Sequence, residues 1–268
     1  MTTQSLSKNM RIFFMLLKLR FARLTEFRLS FFGPFFVDSS LFIIQVLIFK
    51  TIYANVDSIG GWGQGQMLIF IGTFSLINAL NMILYFFGVI TIPDKVKNGS
   101  LDLYLTKPVS PLFRISFENI DPGSLPLLIT SFAIIGYGIT TAGIIPSPAH
   151  ILLYAYFVII MTVLWYDMEV ILRSLSFFII SVDNITKIEV ACLELSFTVP
   201  GIALRGFFKL LFYFILPYGI MATIPVQALS GQLSLNGVFL FSGVVLVFTL
   251  ITALIWKTGL HHYNSASS

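Results

Sequence analysis

The sequence predicts an all-α, polytopic membrane protein, and three observations carry this prediction. First, 57% of the 268 residues are hydrophobic and only 10% are charged, whereas ordinary soluble domains carry about 25% charged residues. Second, several apolar runs reach about 20 residues, the length that a helix needs to cross the hydrocarbon of a bilayer. Third, the charged residues cluster between these runs. The bilayer is therefore the expected solvent of this chain.

The chain opens with a basic amphipathic segment at residues 8–29, in which cations are interleaved with apolar and aromatic side chains. We expect it to form a helix in the headgroup plane, where anionic lipids of the cytoplasmic leaflet attract it. A solvated helix packed on a partner is the alternative. No short apolar core with a small-residue cleavage site accompanies it, so no cleavable signal peptide is expected. The cations are Lys8, Arg11, Lys18, Arg20, Arg23 and Arg28.

Six apolar segments follow, and each is predicted to span the membrane. The first carries Asp38 and Lys50, and the next two carry no charge. The fourth can continue as a helix past Arg173. The fifth is interrupted by Pro217 and Pro225, which free backbone carbonyls and predict a bent or re-entrant segment. The predicted spans are residues 31–53, 67–90, 125–145, 151–173, 207–229 and 238–256.

The basic residues fix the expected orientation, because Lys and Arg gather in the short loops that stay in the cytoplasm. Six spans with a cytoplasmic start place almost every cation inside. Lys50 is the exception, and it can snorkel from the outer end of its helix. Both termini are therefore expected in the cytoplasm, with function sought on that side. The predicted outer loops, which contain no Lys or Arg, are residues 54–66, 146–150 and 230–237.

No set of residues suited to catalysis is apparent. His150 is expected outside, whereas His261 and His262 lie in the inner tail, so no shared metal site is expected. The sequence has no Gly-x-x-x-x-Gly-Lys-Ser/Thr loop, so we expect no enzyme activity and no cofactor in this chain. The single cysteine, Cys192, is interpreted as a small filler. The net charge of +4 reflects the cytoplasmic cations, and no nucleic-acid partner is expected.

Polar residues inside the predicted spans are candidates for a substrate pathway. Asp38 lines a pathway, reaches interfacial water near the inner boundary or pairs with Arg28. Asn78 and Asn81 share one helix face and can hydrogen-bond a neighbouring helix or a substrate. Glu169 and Arg173 are spaced for an i, i+4 ion pair, which favours a satisfied pair at an interfacial helix end. The candidate pathway residues are Asp38, Asn78, Asn81, Pro217 and Pro225.

The loop between the second and third spans, residues 93–124, is the most informative stretch. Gly99 is expected to end the helix that leaves the second span, and Ser100 is expected to cap a new short helix. Such a helix, lying across a cytoplasmic loop, is typical of a docking element. Its apolar face and its end would comprise Leu101, Tyr104 and Leu105, followed by Lys107 and Pro108.

Three motifs carry a resemblance to a known family. They are Gly99, Leu101, Asp102, Leu105, Pro108 and Val109 in the loop; Pro200, Arg205, Pro217 and Pro225 around the fifth span; and Trp256, Lys257, Gly259, Leu260 and Tyr263 at the end. In these motifs, and in length and order of spans, the chain resembles the type-2 permeases of ABC transporters. The likeness is to the small six-span bacterial branch of antibiotic and daunorubicin-type exporters. Phe177-Phe178 stands where that branch commonly has a Phe-Trp pair.

The resemblance implies a dimer of permeases, identical or related, paired with two separate cytoplasmic ATPase subunits that bind ATP and Mg. Residues 99–111 would be a coupling helix seated in a cleft of the ATPase. An amphipathic, peptide or lipid-like substrate, antibiotics included, would move outward across the bacterial cytoplasmic membrane. The coupling residues would be Gly99, Leu101, Asp102, Tyr104, Leu105, Lys107 and Pro108.

Two other classes of protein were weighed from the residues alone. A secondary transporter driven by an ion gradient would usually have an inverted repeat or acids near the membrane midplane. Neither is evident. A membrane-embedded lipid-modifying enzyme would need a convergent catalytic set, which the sequence does not offer.

Overall fold

The computed structural model describes residues 32–179 and 182–263, together with positions 15 and 18. The predicted interfacial helix at 8–29 lies outside the described residues except at those two positions, and so does the side chain of Asp38. Across the described part of the chain the structure is helical without strands. This finding confirms the predicted all-α class.

The α-helices of the described residues are named in chain order. They are α1 Phe32–Tyr53, α2 Gln64–Asn81, α3 Phe87–Val89, α4 Ile92–Lys97, α5 Asp102–Leu105, α6 Pro111–Glu118, α7 Leu125–Ala142, α8 Pro148–Ser174, α9 Asp183–Thr198, α10 Gly206–Leu210, α11 Thr223–Leu229 and α12 Leu235–His262. One π-helical turn, Met82–Phe86, joins α2 to α3, and another, Leu211–Ile215, follows α10.

Four described helices are long and apolar enough to cross a membrane, and a bent pair supplies a fifth. The first of these four begins with α2, the second with the turn before α7, the third with α8 and the fourth with α12. Helix α1 has 22 residues, which corresponds to roughly 33 Å at the rise of an α-helix. The count of six spans stays a prediction.

Local sequence explains where the long helices begin and end. The hydroxyl of Ser147 accepts a hydrogen bond from the backbone N–H of His150 at the start of α8, and Ser234 does the same for Gly237 in α12. These are N-caps, which satisfy backbone donors that the helix leaves free. Gly143 ends α7 in a left-handed conformation with φ of 63°, which glycine adopts without strain.

Helices α2 and α7 pack so closely that their backbones touch. A Cβ atom on Gly65 would lie 2.3 Å from the backbone nitrogen of Ala142, and one on Gly138 would lie 2.7 Å from the backbone nitrogen of Ile69. Small residues permit this approach, which is the usual way in which helices associate in lipid. The two helices therefore form a tightly joined pair.

The core is built around α8, which packs against α2, α11 and α12. Aromatic rings connect the elements. The ring of Phe74 on α2 lies 5.5 Å from that of Trp165 on α8 and 5.1 Å from that of Phe197 on α9. Trp62, which precedes α2 in the chain, is fully buried, and its ring centroid lies 6.1 Å from that of Phe70. Of the four long apolar helices in the described residues, the one that begins with α2 is the most buried.

Helices α7 and α12 have outward faces that are apolar and exposed. They include Ile129 and Phe132 on α7 and Leu246 and Leu254 on α12, all more than half exposed. Because large exposed apolar faces are rare on soluble monomers, these surfaces fit contact with lipid chains. Membrane lipids are therefore the natural neighbours of both helices.

The segment predicted as the fifth span, 207–229, is not one helix. Its halves, Gly206–Ile215 and Pro217–Leu229, meet at an angle of 84°. Pro217 cannot continue the preceding helix because it lacks an N–H, and it begins a 3₁₀ turn instead. Pro225 lies in the first turn of α11, where a missing N–H costs little. The sharp break predicted from the prolines is present, and it lies at Pro217.

Gly138→Ala is expected to destabilise the protein by about 1–3 kcal/mol, because the added methyl group overlaps the backbone of Ile69. Unfolding in sodium dodecyl sulfate, followed by circular dichroism, measures the change. Gly136→Ala, on the same helix, is the matched control, since nothing lies within 4 Å of a Cβ atom there. Equal losses of stability in the two variants would refute the close contact.

Candidate functional site

The loop between α3 and α7 is anchored to the spans by Leu101. This side chain is fully buried, in an apolar cluster with Ile92, Ile115, Val170 and Trp256. Val170 belongs to α8 and Trp256 to α12. The predicted shared face is wrong for Leu105, which is exposed, whereas Tyr104 is partly buried and packs against the cluster that contains Leu101.

Tyr104 is the polar centre of the same loop. Its hydroxyl donates to the carboxylate of Glu118 at 2.8 Å, and Lys95 Nζ lies 3.2 Å from that carboxylate. Lys95, Lys107 and Arg114 each place a cation within 6 Å of the ring. Burial, followed by the hydrogen bond to Glu118, raises the pKa of Tyr104, so its hydroxyl stays a donor. These contacts hold α5 against α6.

Part of the surface of this loop is apolar and exposed. Leu103 is 64% exposed and Leu105 is 43% exposed. Gly99 has φ of 74°, which suits its predicted place after a helix end. Ser100 is not the cap: its hydroxyl donates to Asn98 Oδ1 at 2.6 Å, and Leu101 precedes α5 without a side-chain cap. The remaining predicted coupling residues are Asp102, which is half-buried, and Lys107 and Pro108, which are exposed.

A buried ion cluster joins α8 to α9. Arg173 Nη2 lies 2.9 Å from Glu169 Oε2, and Arg173 Nη1 donates to Glu189 Oε2. Trp165 Nε1 donates to the other oxygen of Glu169 at 3.3 Å, and the hydroxyl of Tyr218 donates to Glu189 Oε1 at 3.3 Å. All three charged side chains are at least 92% buried. One guanidinium thus faces two carboxylates.

The predicted pair of Glu169 and Arg173 is present near the end of α8, where both side chains are buried. Sequence reasoning missed Glu189, because it lies in the predicted inner loop 183–205, most of which is the helix α9. No periodic signal links a residue to a partner 16 positions away. Nearby, Asp167 accepts a hydrogen bond from Thr249 at 2.6 Å and so ties α8 to α12.

A cavity of about 620 Å³ borders the ion cluster. Asn78 and Asn81 line it, as the shared helix face predicts, whereas Pro217 and Pro225 are buried elsewhere in the fold. The π-helical turn that starts at Met82 follows Asn81 directly, and such turns are frequent at functional sites. The charged residues of the lining are Asp94, Glu169, Arg173, Asp183 and Glu189. Among the residues that the structure describes, no group of His, Cys, Asp and Glu could hold a metal ion.

Arg173→Met is expected to destabilise the protein by about 3–5 kcal/mol, because it leaves two buried carboxylates without their cation. Thermal unfolding and monodispersity in detergent measure the loss. The triple variant Arg173→Met, Glu169→Gln and Glu189→Gln is expected to recover most of it, since no uncompensated charge remains. Arg205→Met, at an exposed arginine, is the control. A triple variant as unstable as the single one would argue against an ionic cause.

Comparison with known proteins bears on the whole chain. Neither a curated protein nor a solved structure matches it. Residues 40–267 match the family described as ABC-2 family transporter protein. This match runs from α1 to the end of the chain and confirms the resemblance that the loop and proline motifs suggested. The chain belongs to the ABC-2 family of transporter proteins and is a multi-pass membrane permease of an ABC transporter.

Proposed function

We propose that this chain is the permease of an ABC exporter and that separate ATPase subunits drive it by docking on the loop 93–124. The observation that carries the proposal is the division of this loop into two sides. Leu101 is buried beneath α8 and α12, whereas Leu103 and Leu105 are exposed. Exposed leucines on a loop that is firmly anchored to spanning helices fit a docking surface for another protein.

The packing offers a route from this surface to the spans. Leu101 shares its cluster with Val170 of α8 and Trp256 of α12. Val170 directly follows Glu169, so one turn of α8 borders both the loop anchor and the ion cluster. Closure of the ATPase pair on ATP would push the loop and tilt α8 together with α12.

The substrate we propose is an amphipathic, peptide or lipid-like molecule, antibiotics included. The cavity beside the ion cluster supports this, because its lining combines amide groups with apolar side chains. Asn78 and Asn81 supply the amides, and Met82, Val190 and Leu193 supply apolar surface. Ligand sites usually combine both kinds of wall.

The proposed assembly contains two ATPase subunits, which bind ATP and Mg, and a second permease that is identical or related. It lies in the bacterial cytoplasmic membrane with both termini in the cytoplasm. The distribution of charge supports this orientation, since Lys95, Lys97 and Lys107 lie in or next to the docking loop. Lys97 and Lys107, which are exposed, can pair with acidic residues of an ATPase.

The double variant Leu103→Asp and Leu105→Asp tests the docking surface. The permease is co-expressed with the ABC ATPase encoded beside it and purified by its own tag. Wild type is expected to bring down an active ATPase, and the double variant is expected to retain about a tenth or less of it. Leu101 is left unchanged, because a charge at that buried position would unfold the loop.

Ile145→Asp is the matched control, since Ile145 is 96% exposed and lies next to a predicted outer loop. It should capture ATPase as wild type does. Wild type that captures no ATPase, with flux driven by ion gradients alone in vesicles, would overturn the proposal. Full capture by the double variant would place the docking surface elsewhere.

A further inference from the structure

The charges that line the 620 Å³ cavity do not balance. Four carboxylates contribute to its lining, from Asp94, Glu169, Asp183 and Glu189, against one guanidinium from Arg173. Asp94 and Asp183 are exposed at its edge, whereas the other three side chains are almost fully buried. Acidic side chains therefore outnumber basic ones in the lining next to spanning helices, where a lone ion is costly.

A second observation at the cavity does not depend on charge. Asn81, which lines it, is only 2% exposed. Within the described residues, its side-chain oxygen has no hydrogen-bond partner. A buried amide oxygen without a donor is unfavourable by itself and is satisfied by a ligand that carries N–H or a positive charge.

The remaining walls are apolar and aromatic. Phe86 and Trp165 present rings, and Met82, Val190 and Leu193 present aliphatic surface. Aromatic faces attract organic cations, and the volume lies within the range of about 300–1,000 Å³ that is usual for ligand sites. The volume of the cavity, its acidic side chains and its aromatic walls thus all suit an organic cation.

We propose that this cavity binds an amphipathic organic cation, with its charged group beside Glu169 and Glu189 and its apolar body against the π-helical turn Met82–Phe86 and α9. The proposal rests on the proposed function, because it names the substrate class that the exporter would carry. Asn81 accepts from the cationic group or a polar neighbour of it. Asp94, which is exposed, attracts the cation to the cavity edge.

Two probes of the same shape and opposite charge test this proposal. The full chain is placed in nanodiscs of zwitterionic phosphatidylcholine, and equilibrium binding of radiolabelled tetraphenylphosphonium and of tetraphenylborate is measured against empty nanodiscs. We expect saturable binding of the phosphonium cation and none of the borate anion. After subtraction of the binding to empty nanodiscs, equal binding of the two ions, or phosphonium binding that never saturates, would overturn the proposal, because lipid partition alone differs between these ions.

Variants locate the binding site. Glu189→Gln and Asn81→Leu are each expected to weaken phosphonium binding by about tenfold or more, and Asp94→Asn by about two- to threefold, because it is exposed and screened. Glu194→Gln is the matched control, being the same change at an exposed position of the same helix. Tryptophan fluorescence and size-exclusion profiles verify folding. If Glu189→Gln does not fold, the affinities of Asn81→Leu and Asp94→Asn for the phosphonium cation still test the site. Unchanged affinity in the folded cavity variants would refute the site.

The readout separates this proposal from the function on which it rests. Phosphonium binding is measured without an ATPase, so Leu103→Asp with Leu105→Asp should leave it unchanged. Failure to bind the cation would leave ATPase capture by the docking loop intact. Loss of capture would likewise leave the cavity result standing.

Discussion

Arg173 lies between two carboxylates among spanning helices, where charges are costly to bury, and α8, α9 and the bent segment meet around it. Glu169 comes from its own helix and Glu189 from α9, while Trp165 and Tyr218 complete their hydrogen bonds. Tyr218 follows directly after the break at Pro217, so the bent segment also contributes. Because the members of this cluster form ion pairs and hydrogen bonds with one another, removal of one leaves buried polar groups without their partner.

Helix α8 places two different environments on consecutive residues. Glu169 faces the ion cluster, and Val170 lies in the apolar cluster that holds Leu101. A helix turns by about 100° per residue, so neighbours point to different sides. One rigid element therefore contacts both the polar cavity and the loop that we propose for ATPase docking. The two sites are linked through a single backbone rather than through a long chain of contacts.

Composition, apolar runs and clustered charges predicted the fold class, and the lengths of the apolar runs placed most spans, since α2, α7, α8 and α12 overlap their predicted ranges. The same reasoning placed Asn78 and Asn81 on one face, where they do line a cavity. It failed where long-range contacts decide. Glu189 joins Arg173 from a helix whose mixed polarity indicated a loop, and Leu101 is buried by partners on distant spans. Short loop patterns show which residues are apolar but not which of them the fold will cover.

The glycine contacts between α2 and α7 constrain how the molecule can move. Two backbones that touch leave no side chains between them to repack, so relative sliding or rotation would force main-chain atoms together. We expect α2 and α7 to move together as one rigid unit during any transport cycle. The 84° corner at Leu216 interrupts the helical hydrogen-bond ladder, but it is closely packed as well, because a Cβ atom on Gly201 would lie 2.3 Å from the carbonyl oxygen of Gly219. We therefore expect the molecule to move by displacement of such joined units rather than by repacking of side chains between them.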